Sequence, residues 1–244
     1  MVNDGLPFGP EERRWVTEAL GGIPHVLLNN SRAKGAAGAW NTGLSHLLSV
    51  GFEGFVAILD DDDTWDPHHL ETNLACARKH SAAAVISGLR MRINGIAQER
   101  RLPEGFNDAM FLAGNPGWQG SNTFVAQETL AKVGGFRDGL ASLNDRDLAI
   151  RLLRQPSVRV AYTGAWTATW HASTDGSTLS SPRSCAKLKG LQWFWRIYGA
   201  EMSKAQESSF FQRARDLFHI EPDEIRRGDA GDPHYHQSRG DLTG

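Results

Sequence analysis

Four consecutive aspartates, Asp60 to Asp63, directly follow the apolar run 55–59. A short apolar run bounded by polar residues predicts a buried strand, so the four carboxylates stand at its carboxyl end. In open α/β sheets, ligands bind beyond the carboxyl ends of the strands. Carboxylates this close repel one another, and a divalent cation such as Mg²⁺ relieves the repulsion because it binds oxygen ligands and shares them with phosphates. The run therefore predicts a site for a cation and a phosphate-bearing ligand.

Two other interpretations of the acidic run stay open. Charged runs are commonly solvated, and this one can be an exposed turn in which Asp66 caps the helix that begins near Pro67. The spacing of the acidic residues also partly fits a calcium-binding EF-hand loop. Against that fit, Trp65 stands where the loop needs glycine, and a strand rather than a helix precedes the run.

The composition is that of a folded protein and excludes several function classes. The chain has 244 residues, 40% of them hydrophobic, and its 26 basic and 28 acidic residues leave a net charge of −2. This balance gives no basic surface for nucleic acid or anionic lipid, so we expect no nucleic-acid partner. Cys76 and Cys185 are too few for a disulfide framework. With no signal peptide and no apolar run of about 20 residues, we expect a cytoplasmic protein without a transmembrane segment.

Predicted strands and helices alternate along the first part of the chain. A helix is predicted over 36–49 and strands over 55–59 and 84–89, with a helix between those strands. Such alternation predicts an α/β fold with a doubly wound, mostly parallel central sheet flanked by helices. Two further strands are predicted over 158–162 and 165–170. The pattern after them is helical, which predicts a helical C-terminal appendage.

The segment from Ile58 to Leu70 reads ILDDDDTWDPHHL. It resembles the metal-binding segment of the family 2 glycosyltransferases of the GT-A fold, in which an apolar strand precedes Asp-x-Asp-Asp, an aromatic residue and then x-Pro-x-x-Leu. Every fixed position of that pattern is present, so the match is more specific than an isolated Asp-x-Asp. The resemblance implies a GT-A fold and a nucleotide-diphospho-sugar donor, with Mn²⁺ or Mg²⁺ as cofactor.

Other segments of that family follow in the same order along the chain. Residues 3–5 resemble its nucleotide-contacting turn, and residues 30–43 resemble its Gly-x-x-x-Ala-Arg-Asn-x-Gly stretch. Residues 134–136 and 144–151 resemble its Gly-Gly-Phe and Glu-Asp-x-Asp-Leu-x-x-Arg segments. The likeness spans about residues 1–175. We therefore expect a GT-A-like domain over 1–180, a helical extension packed on it over 181–227, and a disordered tail over 228–244.

The resemblance also implies roles for individual side chains. Asp62 would bind the metal, and His171, which follows the last predicted strand, would complete the metal site as a neutral imidazole. The alternative for His171 is a surface or hydrogen-bonded histidine. Four residues would contact the nucleotide-sugar: Asp4, Asn41, Asp60 and Asp61, of which Asp60 faces the ribose or shares the metal shell. Three later cations could reach the diphosphate or are solvated: Arg183, Lys187 and Lys189.

Asp145 matches the position of the family's catalytic base. An inverting transfer needs a carboxylate within hydrogen-bond reach of the acceptor hydroxyl, and Asp145 follows the Gly-Gly-Phe segment in the expected order. The alternative is that Asp145 and Asp147 only serve the positive end of a helix. Trp118 lies in a predicted loop that would flank the acceptor, where its ring can stack on a sugar or, alternatively, fill the core.

The sequence departs from the family pattern at three places. The first strand and its nucleotide-contacting loop have no counterpart, so we expect either a start codon assigned too far downstream or a sheet without that strand. Trp40 replaces the arginine that usually precedes the position of Asn41, which removes a contact to base or phosphate. Asn144 replaces the glutamate before the base, and the loss of that negative charge lowers the expected pKa of Asp145.

These features together predict a metal-dependent inverting glycosyltransferase of the hexosyltransferase type. Its donor would be a nucleotide-diphospho-sugar, with uridine as the commonest nucleoside in the family, and its acceptor a hydroxyl group. A nucleotidyltransferase of related architecture also uses aspartates and Mg²⁺, but the chain shows no glycine-rich, lysine-containing phosphate loop near its start. A catalytically impaired nucleotide- or sugar-binding protein is the other alternative, because the first strand has no counterpart.

Overall fold

The computed structural model describes residues 1–172 and 182–228, and strands and helices alternate through most of this length. The strands are β1 (Val2–Asn3), β2 (Leu28–Asn29), β3 (Phe55–Ala57), β4 (Thr64–Trp65), β5 (Ala84–Ile93), β6 (Ile96–Glu99), β7 (Thr123–Ala126) and β8 (Val160–His171). The α-helices are α1 (Pro10–Ala19), α2 (Ala36–Ser49), α3 (His69–His80), α4 (Asp108–Ala113), α5 (Gln127–Lys132), α6 (Asn144–Leu153), α7 (Cys185–Tyr198), α8 (Lys204–Phe218) and α9 (Pro222–Arg226). Short 3-10 helices span Gly120–Asn122 and Gly199–Glu201.

These strands form two sheets. β1 and β2 pair in parallel, and the larger sheet has the order β3-β7-β5-β8-β4, with β6 paired to the second half of β5. β5 and β8 are parallel, whereas β3–β7, β5–β7, β4–β8 and β5–β6 are antiparallel. An α/β fold with a central sheet flanked by helices is confirmed. Its pairing is mixed, however, rather than mostly parallel as the sequence analysis expected.

One cause of the mixed pairing is a β-hairpin that the sequence analysis missed. β5 ends at Ile93 and β6 begins at Ile96, so Asn94 and Gly95 form a two-residue turn with φ of 48° and 81°. Turns of this kind need positive φ at both positions, which Asn-Gly adopts readily. The chain therefore reverses at residues 94 and 95, and β6 returns antiparallel to β5.

The two strands predicted over 158–162 and 165–170 form the single strand β8. Its register against β5 shifts on either side of Gly88. A Cβ atom at Gly88 would lie 2.8 Å from Cδ1 of Trp166, so the two strands approach closely there. β4 pairs with the far end of β8, with Thr64 opposite Thr169. This pairing brings the end of β8 to the segment that follows β3.

The main core includes both the sheet and the C-terminal helices. Its fully buried members include residues of β5, α6, α7 and α8: Ile86, Leu148, Ile150, Leu152, Phe194 and Phe210. Helices α7 and α8 therefore share one core with the elements before residue 172. The expected domain boundary at 180 and 181 lies outside the described residues, as does the expected tail 228–244 apart from Gly228.

The helix predicted over 36–49 is confirmed as α2. In contrast, none of the residues of α1 is buried, although Pro10, Glu11 and Glu12 give it a favourable first turn. Across residues 1–172 and 182–228, no helix combines the length and the apolar character that crossing a membrane requires.

Candidate active site

The aspartate run forms the connection between β3 and β4. The backbone N–H of Asp63 donates to the carbonyl oxygen of Asp60 at 3.2 Å, and the backbone N–H of Asp60 donates to Oγ of Ser121 at 3.1 Å. Asp61 and Asp62 are exposed, Asp60 is half-buried and Asp63 is 9% exposed. The run is therefore only partly a solvated turn, because its first and last side chains are withdrawn from solvent.

The surroundings of Asp60 disfavour a negative charge on its carboxyl group. Burial, followed by the charges of Asp63, Asp62, Asp145 and Asp61, raises the pKa of Asp60 to about 7. The influence of Asp145 means that the start of α6 approaches the end of β3. A bound cation would act in the opposite direction and favour the ionised carboxylate.

Asp63 and His171 join the aspartate run to the end of β8. Oδ1 of Asp63 accepts the backbone N–H of His171 at 3.1 Å, and Nε2 of His171 lies 3.0 Å from Oγ1 of Thr64. Burial raises the pKa of Asp63, and hydrogen bonds from Ser121 and His171 oppose that rise. His171 thus lies beside the aspartate run. The anchoring role of Asp63 was not predictable from the sequence, since a run of identical residues does not show which one faces inward.

The donors around the run suit a hard cation in type but are not arranged as a finished site. Within the described residues, no three His, Cys, Asp or Glu side chains are grouped so that they could hold a metal ion. The neighbouring acids nevertheless raise the pKa of Asp60, which records unbalanced negative charge. Carboxylate oxygens are the ligands that Mg²⁺ and Mn²⁺ prefer. The residues therefore fit a divalent cation in charge and in donor type.

Asp145 lies in the first turn of α6, two residues after Leu143, whose backbone is in the left-handed region. Leu143, which caps this helix, has φ of 70° and ψ of 23°. A bulky residue there costs roughly 1–3 kcal/mol, and such conformations concentrate at functional sites. Oδ1 of Asp145 accepts the backbone N–H of Arg146 at 2.8 Å, and Oδ2 accepts from Nδ2 of Asn115 at 2.9 Å. Both carboxylate oxygens are therefore held in place.

Burial controls the acidity of Asp145. Desolvation raises the pKa of its carboxyl group, while the backbone N–H of Arg146 and the charges of Lys187 and Arg146 lower it. The net shift is upward. The lower pKa relative to the family that Asn144 implies stays a prediction; in this structure, burial outweighs the neighbouring groups that lower the pKa of Asp145.

Lys187 on α7 is a buried cation near Asp145. It is 6% exposed, and its Nζ atom donates to Oγ of Ser142 at 2.8 Å. Desolvation lowers the pKa of Lys187 to about 8, although the charge of Asp145 opposes that shift. The solvated state expected as one alternative for Lys187 is wrong, because α7 packs into the core and carries this side chain with it.

Gly120 separates Asp60 from Trp40. A Cβ atom at Gly120 would lie 2.8 Å from Oδ2 of Asp60 and 3.3 Å from Cζ2 of Trp40. The Trp40 ring packs in turn on Phe136, with ring centroids 4.5 Å apart. The missing side chain at Gly120 therefore leaves room for the Asp60 carboxylate. The indole that replaces the family's arginine is part of the same surface.

Asn41 does not line this site. Its side chain is 0% exposed, and its Nδ2 atom donates to the carbonyl oxygen of Phe136 at 2.7 Å and to Oδ1 of Asp138 at 2.8 Å. Its Oδ1 atom accepts the backbone N–H of Phe136 at 2.9 Å. The expected contact between Asn41 and the nucleotide-sugar is therefore wrong, because this amide is buried and fastens α2 to the 136–138 segment.

Trp118 is also a core residue rather than an acceptor contact. The residue is 0% exposed, and its Nε1 atom donates to Oγ1 of Thr123 at 2.9 Å. Its ring meets Phe111 edge to face, with centroids 6.2 Å apart. The expected stacking on an acceptor sugar is wrong, since no face of the indole reaches solvent.

Asp4 lies half-buried just after β1. Its carboxylate accepts from Nδ2 of Asn30 at 2.5 Å and from the backbone N–H of Gly35 at 2.8 Å. These bonds fix the turn that leads into α2. The nucleotide contacts of Asp4 and Asp61, and the metal contact of Asp62, stay predictions.

Comparison with known proteins gives a family match and a fold match. The family model described as Glycosyl transferase family 2 matches residues 16–153. The crystal structure of S. aureus TarS 1-349 in complex with UDP-GlcNAc gives a TM-score of 0.61 at 14% identity, over 88% of this chain and 62% of that one. S. aureus TarS 1-349 gives 0.57 at 14% identity, over 88% and 61% of the two chains. A comparison with curated proteins found no match.

The structural likeness is limited in identity and in extent. S. aureus TarS itself gives a TM-score of 0.58 at 14% identity, over 88% of this chain and 37% of that one. Identity at this level shows the fold alone. The chain spans about 62% of the length of TarS 1-349 in its complex.

Proposed function

Since the chain belongs to glycosyl transferase family 2, we propose that it transfers a sugar from a nucleotide-diphospho-sugar to an acceptor hydroxyl. The transfer depends on a divalent cation and inverts the anomeric carbon. One observation carries this proposal: acids from the end of β3 and the start of α6 surround the half-buried Asp60, whose pKa is raised to about 7 by burial and then by the charges of Asp63, Asp62, Asp145 and Asp61.

Aspartates clustered in this way can bind a cation, and a bound cation suits a reaction whose leaving group is negatively charged. Asp62 is exposed beside half-buried Asp60, and both belong to the connection that leaves β3. Asp62 would hold the cation, with Asp60 or His171 as further ligands. When bound, the cation supplies positive charge that neutralises the diphosphate as the glycosidic bond breaks. Exposed Asp61 and half-buried Asp4 would contact the nucleotide.

Asp145 would serve as the general base. Arg146 and Asn115 each donate one hydrogen bond to its carboxylate, so the group is oriented while each oxygen keeps capacity for a further hydrogen bond. Burial raises its pKa from the ordinary value toward neutrality, which strengthens it as a base. The ionised carboxylate would take the proton from the acceptor hydroxyl as the oxygen attacks the anomeric carbon opposite the leaving diphosphate.

Support for a uridine-linked donor comes from fold likeness. TarS 1-349, which shares the fold, is described in complex with UDP-GlcNAc. We propose a UDP-sugar as the donor of this chain and leave the sugar to experiment.

The test is nucleotide release from a panel of UDP-, GDP- and dTDP-sugars, with Mn²⁺, with Mg²⁺ and with EDTA. We expect metal-dependent release from a UDP-sugar even without added acceptor, because water can replace the hydroxyl slowly. Proton NMR of the freed sugar should show the inverted anomer. Asp145→Asn should lower the rate by about 10²–10⁴-fold while UDP binding survives.

The control is Asp216→Asn, which removes an exposed carboxylate on α8. It should release nucleotide like the unmodified protein. Binding of UDP with Mn²⁺ but no release from any donor would favour the alternative of a binding protein. Equal rates for Asp145→Asn and the unmodified protein would overturn the assignment of the base.

A further inference from the structure

Asn115 makes four hydrogen bonds with one side chain. Its Nδ2 atom donates to Oδ2 of Asp145 at 2.9 Å and to the carbonyl oxygen of Trp118 at 2.5 Å. Its Oδ1 atom accepts the backbone N–H groups of Gly117 and Trp118, each at 2.9 Å. An amide side chain offers two donor hydrogens and two acceptor lone pairs, so the hydrogen-bonding capacity of Asn115 is filled.

The partners fix which way this amide points. The backbone N–H groups of Gly117 and Trp118 can only donate, so the oxygen of Asn115 must face them. The NH₂ group then necessarily faces Asp145. Rotation of the amide would break all four bonds and set the oxygen of Asn115 against both Oδ2 of Asp145 and the carbonyl oxygen of Trp118. Asn115 therefore presents a fixed donor to the carboxylate of Asp145.

We infer that Asn115 is a positioning residue for the base, an inference that rests on the proposed function. The hydrogen bond from Asn115 to Oδ2 fixes the orientation of the Asp145 carboxylate. Because Asn115 donates this bond, it also favours the ionised form of Asp145, which is the form that can accept a proton. The same side chain closes the turn over residues 115–118. The orientation of the base is thereby coupled to the loop that precedes Gly120.

Other charged groups act on Asp145 as well. Asp60, from the segment after β3, and Asp145 repel each other, while Arg146 on α6 and Lys187 on α7 favour the ionised carboxylate. Asn115 differs from these three because its side chain is neutral and itself donates to the carboxylate, whereas Arg146 contacts the carboxylate through its backbone N–H. A substitution that makes this contact negative therefore changes the acidity of the base with little change in the shape of the turn.

The decisive variant is Asn115→Asp. Its carboxylate keeps an acceptor for the N–H groups of Gly117 and Trp118 but sets a second acid against Asp145. Two carboxylates this close share one proton, and the second ionisation of the pair moves to higher pH. We expect the acid limb of the kcat profile to move up by about one pH unit or more, with activity recovered on the alkaline side. Asn115→Ala should lower kcat about tenfold or more with a smaller change in the donor KM.

Asn107→Asp is the matched control. Asn107 is an exposed asparagine whose side chain accepts the N–H of Met110 at 3.1 Å at the start of α4, which an aspartate also does. Its pH profile should coincide with that of the unmodified protein. If the Asn115→Asp profile falls uniformly at every pH with an unmoved acid limb, Asn115 only shapes the turn and the inference is overturned.

A readout without turnover separates this inference from the proposed function. Carboxyl-carbon NMR, with the Asp145 signal identified by its absence in Asp145→Asn, reports the pKa of Asp145 directly. We expect that pKa to rise in Asn115→Asp and, by less, in Asn115→Ala, which also carries the test if Asn115→Asp does not fold. If the pKa of Asp145 rises in Asn115→Asp but the unmodified protein releases no nucleotide, the proposed function is refuted while the effect of Asn115 on Asp145 stands. Release of nucleotide with an unmoved pKa would refute the positioning role alone.

Discussion

Tyr198 on α7 donates its hydroxyl hydrogen to Oδ1 of Asp147 on α6 at 2.7 Å. Asp147 is 0% exposed and also accepts from Nε of Arg137 and Nε of Arg151, each at 2.8 Å. Burial and the charge of Asp147 raise the pKa of Tyr198, so its hydroxyl stays a donor. Asp145, two positions earlier on the same helix, contacts Asn115 instead. One acid of α6 thus fastens the C-terminal helices, while the other faces the candidate site.

Asp147→Ala should therefore damage the fold. Removing the carboxylate leaves Arg137 and Arg151 without their shared partner, and breaking such a buried pair costs about 3–5 kcal/mol. Tyr198→Phe removes one hydrogen bond to a charged group and should cost about 1.5–3 kcal/mol. Urea denaturation gives both free energies of unfolding. Asp145→Asn is the comparison, and a similar loss of stability in Asp145→Asn would contradict this division of roles.

Lys187→Met should change how stability depends on pH. In the folded protein the pKa of Lys187 is lowered to about 8, while the unfolded chain keeps the ordinary value near 10.5. Between those values the unfolded state holds one more proton than the folded state, so stability rises with pH. The unmodified protein should gain at most about 3 kcal/mol over Lys187→Met between about pH 8 and pH 10.5.

Free energies of unfolding from urea titrations across that range measure the difference between the two proteins. Lys189→Met, which removes an exposed lysine from the same helix, controls for the general loss of a positive charge. Parallel pH curves for Lys187→Met and the unmodified protein would mean that the Lys187 ammonium is not desolvated in the fold.

Asp62→Asn tests the proposed cation ligand without any need for turnover. A ligand that binds only the folded state raises stability by about 2.7 kcal/mol at a hundred times its Kd. UDP with Mn²⁺ should therefore raise the melting temperature of the unmodified protein more than UDP alone. Asp62→Asn should lose the metal-dependent part, and Asp216→Asn should keep it. An equal metal-dependent rise in Asp62→Asn would remove this residue from the set of ligands.

Local patterns predicted the framework of the site. The run Asp60–Asp63 follows a strand, and the helix predicted over 36–49 forms as α2, because both depend on neighbouring residues only. The hairpin was equally local: Asn94-Gly95 between Ile93 and Ile96 is a two-residue turn signal that predicts β6 and part of the antiparallel pairing. The fold class was therefore predictable from the sequence. The Asn-Gly turn motif also made part of the strand pairing in the sheet predictable.

Which polar side chains are buried could not be predicted from the sequence. Asn41 is enclosed by Phe136 and Asp138, residues remote along the chain, and no spacing rule indicates that contact. Asp60 and Asp145 likewise come within electrostatic range of each other only after the sheet and α6 have packed. The net effect on their pKa values depends on that packing, since burial is the largest cause of both shifts. Long-range packing therefore decided which polar residues line the site.

Trp118→Phe should separate a core role from an acceptor role. The variant loses the hydrogen bond from Nε1 to Thr123 and part of the ring volume, at a cost of about 1–3 kcal/mol. Because the indole is 0% exposed, the acceptor KM should not change. Chemical denaturation and acceptor titration measure the two quantities. A raised acceptor KM at unaltered stability would restore Trp118 as a contact to the acceptor.

Gly120→Ala should impair the candidate site while the fold persists. The added methyl group would lie 2.8 Å from Oδ2 of Asp60, closer than real Cβ atoms approach, so the short side chain of Asp60 must move. Displacement of a binding group by about 1 Å can cost about a hundredfold in rate, so we expect a tenfold to hundredfold loss in kcat/KM for the donor. Gly43→Ala adds the same methyl group on α2, where its nearest neighbour is Val2 at 3.4 Å, and should keep full activity. Full activity in Gly120→Ala, with melting as in the unmodified protein, would mean that the observed position of the Asp60 carboxylate is not the one the reaction uses.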